Sequence, residues 1–252
     1  MRRGMHAVLI ALIVVVAAAG GAFLYVWFSA GSGEPSRPAD AGPIEREDAE
    51  ESEEDGEARA EEEKKSRAVA YDIVDSRSEA RFIIDEVLRG EPNTVVGRTQ
   101  EVDGSLIVGT DPPRIRVGRL VINVRTIRTD DEVRDRTIRR LILESNRDEF
   151  EFSTFEPTAV NGVPEKLGIG DEVTFTVTGD LTVRDVTREV TLDAVLDFAS
   201  ADEVTGTMGT DIRWDDFDIT IPYVGGDSIV ARVDEELRLE LEFTAEAVTD
   251  GS

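Results

Sequence analysis

"VTGDLTVRDVTREVTLDAVLDF", residues 177–198, decides the fold. Val177, Gly179, Leu181 and Val183 alternate with Thr178, Asp180 and Thr182. After a turn at Arg184–Thr187, Val190, Leu192, Ala194, Leu196 and Phe198 alternate with Thr191, Asp193 and Asp197. Successive side chains of a strand point to opposite faces, so this is a β-hairpin with one apolar and one polar face. The same period recurs in "EVTFTVTG" and in "ELRLELEFTA", where Leu237, Leu239, Leu241 and Phe243 oppose charged residues. Working outward gives strands at Glu79–Leu88, Thr94–Val108 (with a break near Asp103-Gly104), Arg114–Ile127, Phe150–Val160, Glu172–Val183, Arg188–Phe198, Thr205–Ile221 and Ser228–Ala245. "GTDPPR" is a turn between two of them. Long strands with one wet face each describe an all-β protein, an antiparallel barrel of about eight strands rather than a βαβ array.

One segment breaks this pattern. "TDDEVRDRTIRRLILES", Thr129–Ser145, has Thr129 or Asp130 as N-cap, acids first and arginines later, and an apolar stripe of Val133, Ile138, Leu141 and Ile142. It reads as one or two short helices over an end of the barrel.

The bulk composition narrows the function. The 252 residues carry 54 acidic and 28 basic side chains, a formal charge of −26, no cysteine and one histidine, His6. A nucleic-acid partner needs a basic face, and the charge argues against one. Disulfides, thiol nucleophiles and thiolate metal sites are excluded, and the barrel has no histidine for a general base or a zinc ligand. Asp215, Asp216 and Asp218 cluster in "RWDDFDIT", but no calcium-loop pattern accompanies them and they read as surface acids. No residue set supports an enzyme, a metal or a resident cofactor.

Ahead of the barrel, Ala7–Phe28 has no charged residue and is long enough to cross a hydrocarbon core about 30 Å thick. Arg2 and Arg3 precede it, so residues 1–6 are assigned to the cytoplasm, 7–28 to a transmembrane helix, and the rest to the outer side of the cell membrane. A cleaved signal peptide ending near Ala17-Ala18-Ala19 is the competing reading; the apolar run continues past it. Residues 29–68, rich in Pro, Gly and acids, read as a disordered linker. The barrel takes 69–248 and a tail 249–252.

The order of motifs resembles the YceI-like family of lipocalin-like barrels. The resemblance rests on "YDIVDSRSEARF", "VVGRTQEVDGSLIV", "RDRTIRRLILESNRDEFEFSTFEPT", "GDLTVRDVTREVTLDA" and "DIRWDDFDITIPYVGGDSIVARVDEELRLELEF", in that order over residues 71–245. It implies a lumen that holds a long isoprenoid chain, such as a polyprenyl or quinone tail. Departures are Arg77 where the family tends to have histidine, Val74 for its aspartate, and Asp218 for a glycine after Asp216-Phe217; Ser78 and Phe82 are kept. On this resemblance the lumen liners are Phe82, Ile84, Ile142, Phe152, Phe175, Trp214 and Phe217; Arg77 and Arg213 are candidates for the mouth, with ordinary surface arginines the preferred reading of both. The expected protein is a membrane-anchored, extracytoplasmic lipid-binding barrel with no nucleic-acid partner. The alternative is a structural or adhesion module of the cell envelope with a filled core.

Overall fold

The computed structural model describes residues 31–44, 68–222 and 230–248. Its strands are β1 (Ala68–Ile73), β2 (Glu79–Leu88), β3 (Glu91–Thr99), β4 (Val102–Thr110), β5 (Pro113–Asn123), β6 (Phe152–Asn161), β7 (Glu172–Val183), β8 (Val186–Asp197), β9 (Glu203–Arg213), β10 (Val230–Val233) and β11 (Glu236–Ala247). All pairings are antiparallel. Three consecutive pairs, β1/β2, β3/β4 and β10/β11, each continue one barrel strand across a short break. Counted this way, eight strands run as a simple meander, and β11 closes the ring by pairing with both β1 and β2.

The breaks have local causes. Between β1 and β2 the buried Ser78 hydroxyl donates to the Val74 carbonyl at 2.8 Å and accepts from the Thr244 amide at 3.2 Å, holding the bend against β11. The second strand breaks at Gln100-Glu101, earlier than the sequence pattern suggests. There Thr99 Oγ1 accepts from the Glu101 amide and meets Thr126 Oγ1 at 2.6 Å. Gly104 marks a register irregularity against β5 instead. β9 stops at Arg213 because Trp214–Phe217 coil into a 3-10 turn closed by Asp218 at φ 53°. That left-handed backbone is where glycine is favoured and where aspartate is among the better-tolerated substitutes.

The helical segment is shorter than its pattern. α1 (Glu132–Thr137) starts at Asp131, whose carboxylate accepts from the Arg134 amide at 2.8 Å, and continues as a π-helical turn over Ile138–Ile142. Buried Asp135 reaches back to the amide and hydroxyl of Thr129, both at 2.7 Å.

The two ends of the barrel differ. One carries the 161–172 and 197–203 loops and the cis Asp111–Pro112 turn. Its interior is filled by Tyr71, Phe175, Val177, Leu196, Phe198 and Phe243, all nearly free of solvent. The Tyr71 and Phe198 rings meet edge to face at 6.4 Å, and the Tyr71 hydroxyl donates to the Ala201 carbonyl. Gly206 on β9 lies flat beneath Phe243: a Cβ there would sit 2.7 Å from the ring and 2.5 Å from the Val195 carbonyl. Gly206→Ala is therefore expected to lower stability by about 1–3 kcal/mol, the usual range for overpacking, measurable by urea denaturation.

Candidate functional site

The opposite end, beneath α1 and beside the β2–β3 and β7–β8 turns, is hollow. A cavity of about 670 Å³ enters there and continues down the lumen. The volume lies within the range of small-molecule sites, about 300–1,000 Å³. Parity explains its walls. Ala80, Phe82, Ile84, Glu86 and Leu88 are alternate residues of β2, and Leu237, Leu239 and Leu241 are alternate residues of β11. Ala80 and Leu88 both line it, giving a depth of roughly 20 Å after strand rise and tilt are taken into account. Its floor is formed by Phe155, Leu181, Met208 and Leu241, beyond which the packed end begins. The deep walls are mostly apolar; the exceptions are Thr99, Ser153 and the charged pair Arg81–Glu240, which neutralise each other at 2.7 Å, and the remaining charged groups stand at the rim.

At the rim, Glu86 is 9 % exposed, accepts from Asn93 Nδ2 at 2.8 Å and lies 3.5 Å from Arg134. Arg134 also pairs with Asp130, so helix α1 is fastened to β2 across the opening. Arg89 at φ 53° in the β2–β3 turn, Asp131 and the exposed Val133 complete the edge. The arrangement offers a dry channel for a hydrocarbon and a ring of hydrogen-bonding groups for a polar head.

Five of the expected liners, Phe82, Ile84, Ile142, Trp214 and Phe217, stand on the cavity wall. Phe152 and Phe175 do not. Phe152 opens β6 one residue before inward-facing Ser153, so it points outward, where the Arg37 guanidinium lies 5.0 Å from its ring centroid. Phe175 points inward but lies in the packed end. Phe155, three residues from Phe152 and so on the opposite face, is the aromatic of β6 that reaches the cavity. Arg77 sits at the packed end, paired with Glu203 at 2.6 Å and Glu246 at 3.1 Å, so it is not a mouth residue. Arg213 is at the open end but off the cavity wall, held by Asp215 at 3.0 Å and Glu235 at 2.8 Å. Hydrogen bonding to Arg213 pulls the Asp215 carboxyl below its ordinary value. Among the described residues, no group of three or more acidic, histidine or cysteine side chains could hold a metal.

Residues 31–44, within the stretch expected to be a linker, pack along the outer wall. The Gly33 carbonyl accepts from Arg128 at 2.9 Å, and the Gly31 carbonyl from Arg139 at 3.4 Å. The Ser36 amide and hydroxyl both donate to Glu151. The Ala41 amide donates to Asp103, and Ile44 lies over Gly118. Glu151, only 1 % exposed, also accepts from Asn123 and faces Arg125 at 3.2 Å. Burial works to raise its pKa, but the hydrogen bonds from Ser36 and Asn123 and the charge of Arg125 outweigh it and hold the carboxyl below its ordinary value.

Ala7–Phe28 lies outside the described residues. Among the described residues, no helix is long and apolar enough to cross a membrane.

Fold and cavity together define a closed eight-stranded antiparallel barrel with an apolar, one-ended lumen. The model of the YceI-like domain matches residues 71–245, and the chain belongs to that family. No curated protein matches it. Among solved structures it resembles a polyisoprenoid-binding domain from Saccharophagus degradans implicated in plant cell wall breakdown, at 14 % identity and TM-score 0.54, over 71 % of this chain and 99 % of that one. It also resembles BcnA of Burkholderia cenocepacia, at 15 % identity and TM-score 0.50, over 68 % of this chain and 98 % of that one. At these identities the likeness concerns the fold.

Proposed function

We propose that this protein binds a long isoprenoid or similar lipid chain, such as a polyprenyl or quinone tail, in the one-ended cavity, and that it does so outside the cytoplasm while anchored by Ala7–Phe28. The observation that carries the reading is the division of the lumen. One half is packed by Tyr71, Phe175 and Phe243, while the other is an apolar hollow open at the rim. A module with a filled core has no use for that hollow, because unfilled apolar volume costs stability. The polyisoprenoid-binding relative of the same fold supports the choice of ligand class.

Transfer of each methylene out of water favours the cavity by about 0.8 kcal/mol. Nearly all of that gain vanishes when the lipid comes from a bilayer, which is equally apolar. Discrimination among lipids then falls to chain shape and to the rim groups Glu86, Arg89 and Arg134. Catalysis has no part in this reading.

Trp214 supplies a probe, since the chain has two tryptophans and the other is Trp27. Titrating residues 31–252 with a long-tailed quinone is expected to quench Trp214 fluorescence saturably, with about one quinone per barrel. A linear, non-saturating response would contradict the proposal.

A further inference from the structure

The segment next to the apolar run does not leave the barrel at random. Gly31 and Gly33 are fastened at the open end, by Arg139 of the π-helical turn and by Arg128. From there the segment passes Glu151 and Phe152 and reaches Asp103 and Gly118 farther down the wall. It therefore runs from the helical excursion that covers the open end toward the packed end, and its N-terminal side lies against Arg128 and Arg139, just outside the cavity wall. Only two residues separate Phe28, the last of the apolar run, from Gly31. A fully extended chain covers at most about 3.6 Å per residue, so Phe28 is within about 11 Å of Gly31.

We propose that residues 31–44 are an orienting strap that presses the cavity mouth against the bilayer, so that lipid passes between membrane and lumen without crossing water. The inference rests on the reading of Ala7–Phe28 as a membrane span and of the cavity as a lipid site. The rim suits such a contact: Val133 is 44 % exposed there and lines the entrance. Ile169, more exposed still at the packed end, has no hollow behind it. The strap also removes an objection to transfer from a charged tether. With a formal charge of −26 the protein gains nothing from electrostatic attraction to anionic lipid, so its orientation must come from a mechanical link.

The test uses the full chain in phosphatidylcholine vesicles. Because there is no native cysteine, a single fluorophore can be placed by Asp185→Cys in the exposed β7–β8 turn at the open end, or by Lys166→Cys in the loop at the packed end. The two positions are separated by the length of β7, about 30 Å after tilt. A quencher carried on bilayer lipid is expected to quench the Asp185→Cys label several-fold more than the Lys166→Cys label. Insertion of about 20 Gly/Ser residues between Ala30 and Gly31 adds a flexible reach of about 25 Å and should erase the difference. It should also slow loading from vesicles while leaving quinone quenching of Trp214 in detergent unchanged, read in a Trp27→Phe background so that Trp214 alone reports. Equal quenching at the two positions, stronger quenching at Lys166→Cys, indifference to the insertion, or release of the protein from vesicles by alkaline washing would overturn the strap. Loss of Trp214 quenching in detergent with the orientation intact would instead overturn the lipid site.

Discussion

Replacing Leu192 and Leu239 together by tryptophan is expected to abolish lipid occupancy while leaving the barrel folded. Both residues line the cavity, from β8 and β11, on either side of β9. Leu239 is in register with Thr210, and Asp193 with Gly209, so Leu192 and Leu239 flank Thr210 on the inner face, about 6 Å apart in depth once strand tilt is counted. Two indoles there bar the channel above its floor. In a filled core such enlargement costs about 1–3 kcal/mol, but here the added atoms enter empty volume. The double variant should therefore melt within a few degrees of the parent, with lipid per barrel reduced about tenfold or more. Phe175→Trp, in the packed end, should do the reverse: lower the melting temperature and leave lipid content untouched. If the double variant keeps its lipid, the cavity is not where the lipid lies.

The second large effect concerns stability. Arg125→Met should destabilise the protein by about 3–5 kcal/mol, because it removes the cation facing the buried Glu151 carboxylate. Arg125 also donates to the Ser145 carbonyl at 2.6 Å and to Asp148 at 2.8 Å, so it joins the ends of the helical excursion between β5 and β6. For a domain of this size the loss corresponds to a fall in melting temperature of about 10 °C. The double change Arg125→Met with Glu151→Met should recover much of it, since no buried charge is then left unpaired. pH gives an independent reading. Glu151 titrates below its ordinary range when folded, so its stabilisation is present at neutral pH and is lost as pH falls through that depressed value. Thermal melts between neutral and acid pH should show the parent losing this increment and Glu151→Gln lacking it. A change below about 1 kcal/mol for Arg125→Met would contradict the assigned role.

Much of the barrel can be read directly from the residues, because strand parity is a local property. The limits of β2 and β7 follow from alternation alone. Parity also separates Phe152 from Phe155: an odd spacing puts them on opposite faces, so only one can line a lumen. Treating both simply as large aromatics conceals this. Depth is another matter. Phe175 and Phe82 both face inward, and nothing in their neighbours tells that one belongs to the packed cluster with Leu196 and Phe198 while the other lines the cavity. That depends on which residues the register brings to each level. The helical excursion was visible in outline, with its cap one or two residues later than the acids suggest.

The strap was concealed for a different reason. "GSGEPSRPADAGPI" has little apolar content, and judged by its own side chains it cannot offset its ordering entropy. What holds it is mostly its backbone: carbonyls of Gly31 and Gly33 satisfy arginines, and the Ser36 amide satisfies Glu151, partners 95 to 115 residues away. Such pairs leave no periodic signal. Asp218 is the converse case. The resemblance led to an expected glycine, and the φ of 53° explains why that position favours one and how aspartate can take its place.

The central claim is that the open half of the lumen houses a foreign hydrocarbon. The most direct measurement is organic extraction of the purified full chain followed by quantitative mass spectrometry, with the Leu192→Trp/Leu239→Trp variant alongside. About one isoprenoid or comparable long-chain lipid per protein, absent from the variant, is the predicted result. Protein that comes through purification from membranes with no lipid, or with equal amounts in parent and blocked variant, would contradict the account.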